Sequence, residues 1–274
     1  MKKSILLFAM FVIGIYAITS CGGGDDPFAE SANAAMGKIH INGVFEIIAE
    51  MNEKTRTMYT KKIVGLGKEA GLAFHEDWQK DDVEAGPLPA LFLRGTSEVI
   101  QKSEVPLGLY LGSDFPIRRS NMLKGVQAEK FAEIRKDSKP QFFYDEPNKL
   151  YTAMFADIAG AKPCVSCHND HENTTKTDWA MGDIMGATTW TYPKEYLTME
   201  EVADIIRVYR LGVEETYKSY LAEVQAYKEN KVPEIGEKWS DAGYAIPDAE
   251  NFLKEMDEIT APEALTQLIS LNEK

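Results

Sequence analysis

The sequence predicts an α+β fold, an antiparallel sheet with helices packed on it. Three observations carry that reading. Strand-like apolar runs cluster between residues 107 and 192, helical periodicity flanks them on both sides, and two runs are joined by a hairpin signal. The 274 residues are 44% hydrophobic and 27% charged, too apolar for a disordered chain and enough for one domain with an appendage.

Taken in order, Lys2 and Lys3 precede the apolar run Ile5 to Ile18, which small residues then close. That is the layout of a secretory signal, residues 1–20, and the run is shorter than the ~20 residues of a spanning helix. Ile18-Thr19-Ser20-Cys21 resembles the bacterial lipobox, which implies lipidation of Cys21 and a membrane anchor facing the periplasm or cell exterior. The glycine-rich stretch after it makes residues 21–35 a flexible tether. From about Ala34 to Val64, Val44, Ile47, Ile48, Met51, Met58, Tyr59 and Ile63 recur at helical spacing, giving a long helix that ends near Gly65 and Gly67. Gly86-Pro87-Leu88-Pro89 is a rigid turn opening a second helix, Ala90 to about Gln101.

Residues 107–113 read as a buried strand and 126–134 as a helix with Phe131 and Ile134 inward. Residues 141–144 and 150–155 are strands joined by the turn Asp145-Glu146-Pro147-Asn148, and a further strand covers 186–192. Beyond Pro193 the pattern is helical. Thr198-Met199-Glu200-Glu201 is a capping box ahead of a stripe from Val202 to Val224. Two shorter helices are expected at 248–258 and 261–271, the latter with Pro262 in its first turn. The division is thus 36–192 for the sheet domain and 193–274 for a helical C-terminal extension.

The net charge is −13, and loss of Lys2 and Lys3 with the signal takes it to −15. Such an acidic chain disfavours nucleic acid or an anionic membrane surface as partner, since both reward basic patches.

Chemistry is concentrated in Cys164-Val165-Ser166-Cys167-His168, a C-x-x-C-H motif. Two thiols one helical turn apart reach the two vinyl groups of a porphyrin, and the adjacent imidazole becomes the proximal iron ligand, as in c-type haem attachment. A thioredoxin-like pair usually lacks the following histidine. A zinc site would need two more ligands, for which the chain has no second pair. Once Cys21 is lipidated, both remaining cysteines sit in this motif. One covalent haem c is therefore expected, held by Cys164 and Cys167, with His168 on the iron.

The flanks strengthen this. Phe155-Ala156-Asp157, then CVSCHNDH, Lys176-x-Asp178-Trp179 and Gly182-Asp183, together with Gly86-Pro87-Leu88-Pro89-Ala90 and Gly112 to Ile117, resemble the Tll-like c-type haem domain family over about residues 36–192. That resemblance implies a PAS-like antiparallel sheet carrying a C-x-x-C-H insertion, in sensory modules or stand-alone haem proteins. A cysteine serves as sixth iron ligand in some members, and the mature chain has none to spare.

His75, in Phe74-His75-Glu76-Asp77-Trp78, is the candidate distal ligand, with Met185 or Met181 as alternatives and an open site as a third. His171 is too close to His168 to reach the opposite face of the same iron and suits a propionate or the loop backbone; His40 suits the surface. Trp179 and Tyr151 are candidate walls for the haem edge, Lys176 and Arg118 candidate propionate partners, and Asp178 and Asp183 loop-capping acids.

The expected function is a non-enzymatic, lipid-anchored monohaem cytochrome that senses redox state or a small gaseous ligand. It would act through a membrane signalling partner. The alternative is an electron carrier serving a redox partner protein. A peroxidase would need a distal acid–base pair, for which no motif is seen.

Overall fold

The computed structural model describes residues 38–229, 232–236 and 245–272. The signal segment 1–20, Cys21 and the tether 21–35 lie outside the described residues.

His40 closes the two-residue strand β1 (Ile39–His40) and caps the first helix, its Nδ1 accepting the Asn42 N–H at 3.1 Å. Helix α1 (Ile41–Met58) starts there, later than the expected Ala34, and runs on past Gly65 through a wider turn (Tyr59–Gly65) into Leu66–Glu69. The glycines do not stop it. A Cβ on Gly67 would sit 2.8 Å from the Phe74 ring, so this glycine is a close-packing site. The short strands β2 (Phe74–His75) and β3 (Gly86–Pro87) pair in parallel ahead of α2 (Pro89–Gln101).

The central sheet uses β4 (Gly108–Gly112), β5 (Gln141–Asp145), β6 (Leu150–Ile158) and β7 (Ile184–Tyr192). They lie in the order β4-β7-β6-β5, antiparallel throughout. Side chains alternate between faces, as the pleat requires. Leu109, Ala153 and Trp190 enter the main core, and Tyr110, Met154 and Ala187 the smaller one under α3 (Val126–Asp137). The register of β6 on β7 shifts between Asp157 and Ile158, a bulge at the end of the strand nearest the motif.

The short strand β8 (Tyr196–Leu197) pairs with β1 and leads into α5 (Met199–Gln225), which opens with the expected capping box at Thr198 and Glu201. Helix α5 shares the main core with α1 and α2, with Trp190 edge-on to Tyr209 at 5.9 Å. Residues from Lys38 onward form one compact unit. Strands β9 (Glu234–Gly236) and β10 (Ala245–Pro247) pair in parallel. The two expected C-terminal helices are one, α6 (Ala249–Asn272), with Pro262 inside it. Contacts to α1 on both sides of the proline hold it: Lys62 pairs with Glu255, while Lys54 reaches Glu263 and Gln267 reaches Glu50, each at 2.5 Å. Among the described residues no helix is long and apolar enough to cross a membrane.

Candidate functional site

Helix α4 (Lys162–Asp170) occupies the link between β6 and β7 and carries the whole C-x-x-C-H motif. Ala161 caps it in an extended conformation, and Pro163 sits in the first turn, where its missing N–H is harmless. Cys164, Cys167 and His168 share one helix face by their spacing of three and four. Both thiols are free, Cys164 half-buried and Cys167 exposed.

Against this helix lies a small apolar cluster. Ala159, Trp179 and Met185 are buried, with Phe115, Cys164 and Val165 packed on them. Phe115 meets Trp179 edge-on at 6.2 Å. Asn169, one residue past the motif, brackets Trp179: its amide donates to the Trp179 carbonyl at 3.0 Å and accepts the Trp179 N–H at 2.9 Å. Gly182, at φ 89°, and Asp183, which accepts the Ala180 N–H at 2.8 Å, close the loop before β7.

The His171 Nδ1 accepts the Asn173 N–H at 3.0 Å, so its Nε2 carries the proton donated to Glu76 at 3.1 Å. That bond pins residues 74–78 beside α4. His75 is exposed there; its Nδ1 accepts the Asp77 N–H at 3.1 Å, and its Nε2 has no partner among the described residues.

Below the helix, Arg56 of α1 pairs with Asp157 of β6, Nη1 to Oδ1 at 2.9 Å, and the arginine side chain is only 17% exposed. Burial opposes charge on Arg56, but the Asp157 carboxylate, together with Glu53 and Cys164, holds the pKa above the ordinary arginine value. Burial lowers the pKa of His168, with Asp157 pulling the other way. The His168 Nδ1 is enclosed and unpartnered, whereas Nε2 is not enclosed. Burial, and then the charge of Glu76, pushes the Cys167 thiol up. A redox-active C-x-x-C cysteine has the opposite shift.

Trp179 and Met185 thus meet Cys164 in one cluster, and Asp183 caps its turn as expected. Met185 fills core there, and Met181 is 52% exposed. Lys176 lies over the Trp179 ring at 4.5 Å and pairs with Asp178, so its ammonium already has partners. Arg118 is exposed and near Arg94, whose pKa is lowered by burial and then by Arg118. Tyr151 is not at the site, and the expectation that it walls a haem edge is corrected. It bonds Glu195 at 3.2 Å and packs on Tyr144, six residues and roughly 20 Å along β6 from Asp157. His40 is 3.6 Å from the same Glu195. Sequence reasoning missed the roles of Asn169, Glu76 and the Arg56–Asp157 pair. Asn169 and Asp157 stand in the motif's flanks, but no local pattern shows their partners.

Among the described residues no three His, Cys, Asp or Glu side chains converge as a metal-holding group. A porphyrin iron brings four ring nitrogens and asks less of the chain.

Fold and site together define an α+β domain with a C-x-x-C-H helix set between two central strands. Residues 38–193, more than half of the chain, match the model of the Tll0287-like family, and the chain belongs to that family. No curated protein and no solved structure matches it.

Proposed function

We propose that this protein is an exported, lipid-anchored monohaem c-type cytochrome whose PAS-like domain senses redox state or a small gaseous ligand. The observation that carries the reading is the arrangement on α4. Two free thiols and an imidazole share one face, with His168 Nδ1 turned inward and Nε2 left accessible. The residues fit the group: Cys164 and Cys167 are one turn apart for two thioethers, and His168 presents the nitrogen that binds iron. Trp179, Phe115 and Met185 form an apolar wall that excludes water from the Cys164 side. When bound, haem supplies a one-electron iron couple and an axial position for a second ligand. His75, on the segment pinned by Glu76 and His171, is the distal candidate from this chain.

A four-stranded antiparallel sheet with helices on both faces supports the PAS-like reading. Cys21 carries the lipid anchor, the domain faces the periplasm or cell exterior, and output passes to a membrane signalling partner. A second reading, a periplasmic electron carrier, is favoured by the exposure of α4, which has no fully buried residue. A haem there keeps an edge open to a redox partner, and the acidic chain steers it to a basic one.

Production in a host with cytochrome maturation machinery tests the core claim. The expected product has a sharp reduced α-band and a haem-sized mass increment that survives denaturation. Cys164→Ser/Cys167→Ser loses both. A colourless wild-type protein weighing only its amino acids overturns the proposal. Rapid carbon monoxide binding to the reduced protein supports the sensor, and inertness with a high potential supports the carrier. An unchanged low-spin spectrum in His75→Ala removes His75 as ligand.

A further inference from the structure

Among the described residues two large aromatic side chains are exposed, Tyr144 at 37% and Tyr196 at 49%. A run of contacts joins them. Tyr144 packs on Tyr151 with ring centroids 4.8 Å apart, and the Tyr151 hydroxyl donates to Glu195 Oε2 at 3.2 Å. His40 Nε2 faces Glu195 Oε1 at 3.6 Å, and the His40 ring meets Tyr196 edge-on at 5.2 Å. Backbone bonds fix this strip. His40 lies opposite Tyr196 in the β1–β8 pair, and the Ile41 N–H donates to the Glu195 carbonyl at 2.8 Å. The strip stands at the start of β6, the end away from α4.

The carboxylate in its middle has no basic partner. Among the described residues no lysine or arginine pairs with Glu195; the adjacent Lys194 turns to Glu201, and Lys149, beside Tyr144 in the hairpin, turns to Glu146. His40 brings no charge here, because its Nδ1 accepts the Asn42 N–H and the ring keeps one proton, on Nε2. An ionised carboxylate offers about four lone-pair sites, so Glu195 keeps acceptor capacity beyond the Tyr151 bond.

We propose that this strip docks an arginine side chain of a protein partner. Tyrosine faces attract a guanidinium, and a carboxylate takes its fork through two bonds, a match that the point charge of lysine lacks. Rings and a carboxylate already held in place lose little freedom on binding. Charge selects this occupant over nearer ones. Residues 22–37, just ahead of β1 in the chain, include Asp25, Asp26 and Glu30 and no base. A second copy meeting the same strip would set Glu195 against Glu195. The site is separate from the C-x-x-C-H helix and stands with or without haem.

The test titrates the full chain, its tyrosine rings labelled with carbon-13, with the tripeptide acetyl-Gly-Arg-Gly-amide. The ring signals of Tyr144, Tyr151 and Tyr196 should move together and saturate at millimolar peptide. The matched citrulline peptide, close in shape but uncharged, should leave them in place. Glu195→Gln should weaken binding about ten-fold, the loss of one charge-assisted contact. Tyr196→Leu, at an exposed position that folding does not depend on, should weaken it as well. Equal shifts with citrulline, or none with arginine, overturn the assignment. So do equal shifts with glycerophosphoethanolamine, which would make the strip a lipid-headgroup contact, and signals that move with protein concentration alone, which would make it a contact between copies.

Discussion

Asn169 uses both ends of its amide on the backbone of Trp179, ten residues away, and so does the work of a pair of strand hydrogen bonds without a strand. The loop between α4 and β7 is otherwise tied by the His171–Glu76 bond, the Gly182–Asp183 turn and the backbone bonds of Gly182 and Asp183 with Ala159. Asn169→Ala removes two bonds and leaves a partly buried carbonyl and N–H to find water, at a cost of about 1–3 kcal/mol. Because the damage is local, the expected result is faster proteolysis within residues 171–183 and a lower yield of covalently loaded protein. The urea midpoint should fall without a change in slope. Unchanged proteolysis would mean that the apolar contacts of Trp179 alone hold the loop.

Among the elements, α5 shows how far short-range signals reach. The Thr198 hydroxyl accepts the Glu201 N–H at 3.2 Å and the Glu201 carboxylate accepts the Thr198 N–H at 2.9 Å, so Thr198→Ala should cost about 1 kcal/mol. Lys194 and the Thr198 N–H hold the Glu201 carboxyl below its ordinary value of 4.5. The folded form therefore binds that proton less readily than the unfolded chain. The stability it contributes is complete above pH 4.5 and is lost as pH falls through the lower folded value. Thermal melts between pH 6 and 3 should fall less steeply for Glu201→Gln than for wild type. This cap was legible in four residues, and the strands were legible as apolar runs bounded by turn residues. What stayed hidden depends on distant partners. Phe74 packs against Gly67 where a side chain would clash, and α6 passes Pro262 with α1 lying along it. Arg56 has no local signal for its role, since Asp157 lies 101 residues further on. The thiols and His168 were legible because they stand within five consecutive residues; the distant partners of Asn169 and Arg56 were not.

At the scale of the molecule, the family match stops at residue 193 while the core does not. Val202, Ile205, Tyr209, Val213, Tyr217, Tyr220 and Val224 of α5 are each at most 1% exposed, packed with the sheet, α1 and α2. Helices α2 and α5 approach so closely that a Cβ on Gly95 would lie 2.6 Å from the Thr216 methyl, and one on Gly212 would lie 2.9 Å from the Thr96 carbonyl oxygen. At about 1.5–3 kcal/mol per buried side chain, seven such residues contribute an amount comparable to the roughly 5–15 kcal/mol net stability of a typical domain. Residues 38–193 alone would strip Trp190 of Tyr209 and Phe92 of Phe252. That fragment is expected to show no cooperative urea transition by far-ultraviolet circular dichroism, whereas 38–274 unfolds in one step. Gly212→Val in the longer chain should lower the urea midpoint by forcing α5 off α2, at about 1–3 kcal/mol. A sharp transition in 38–193 would make the C-terminal helices a dispensable appendage. Its absence would make them a wall of the same domain, packed into one core with α1, α2 and the sheet.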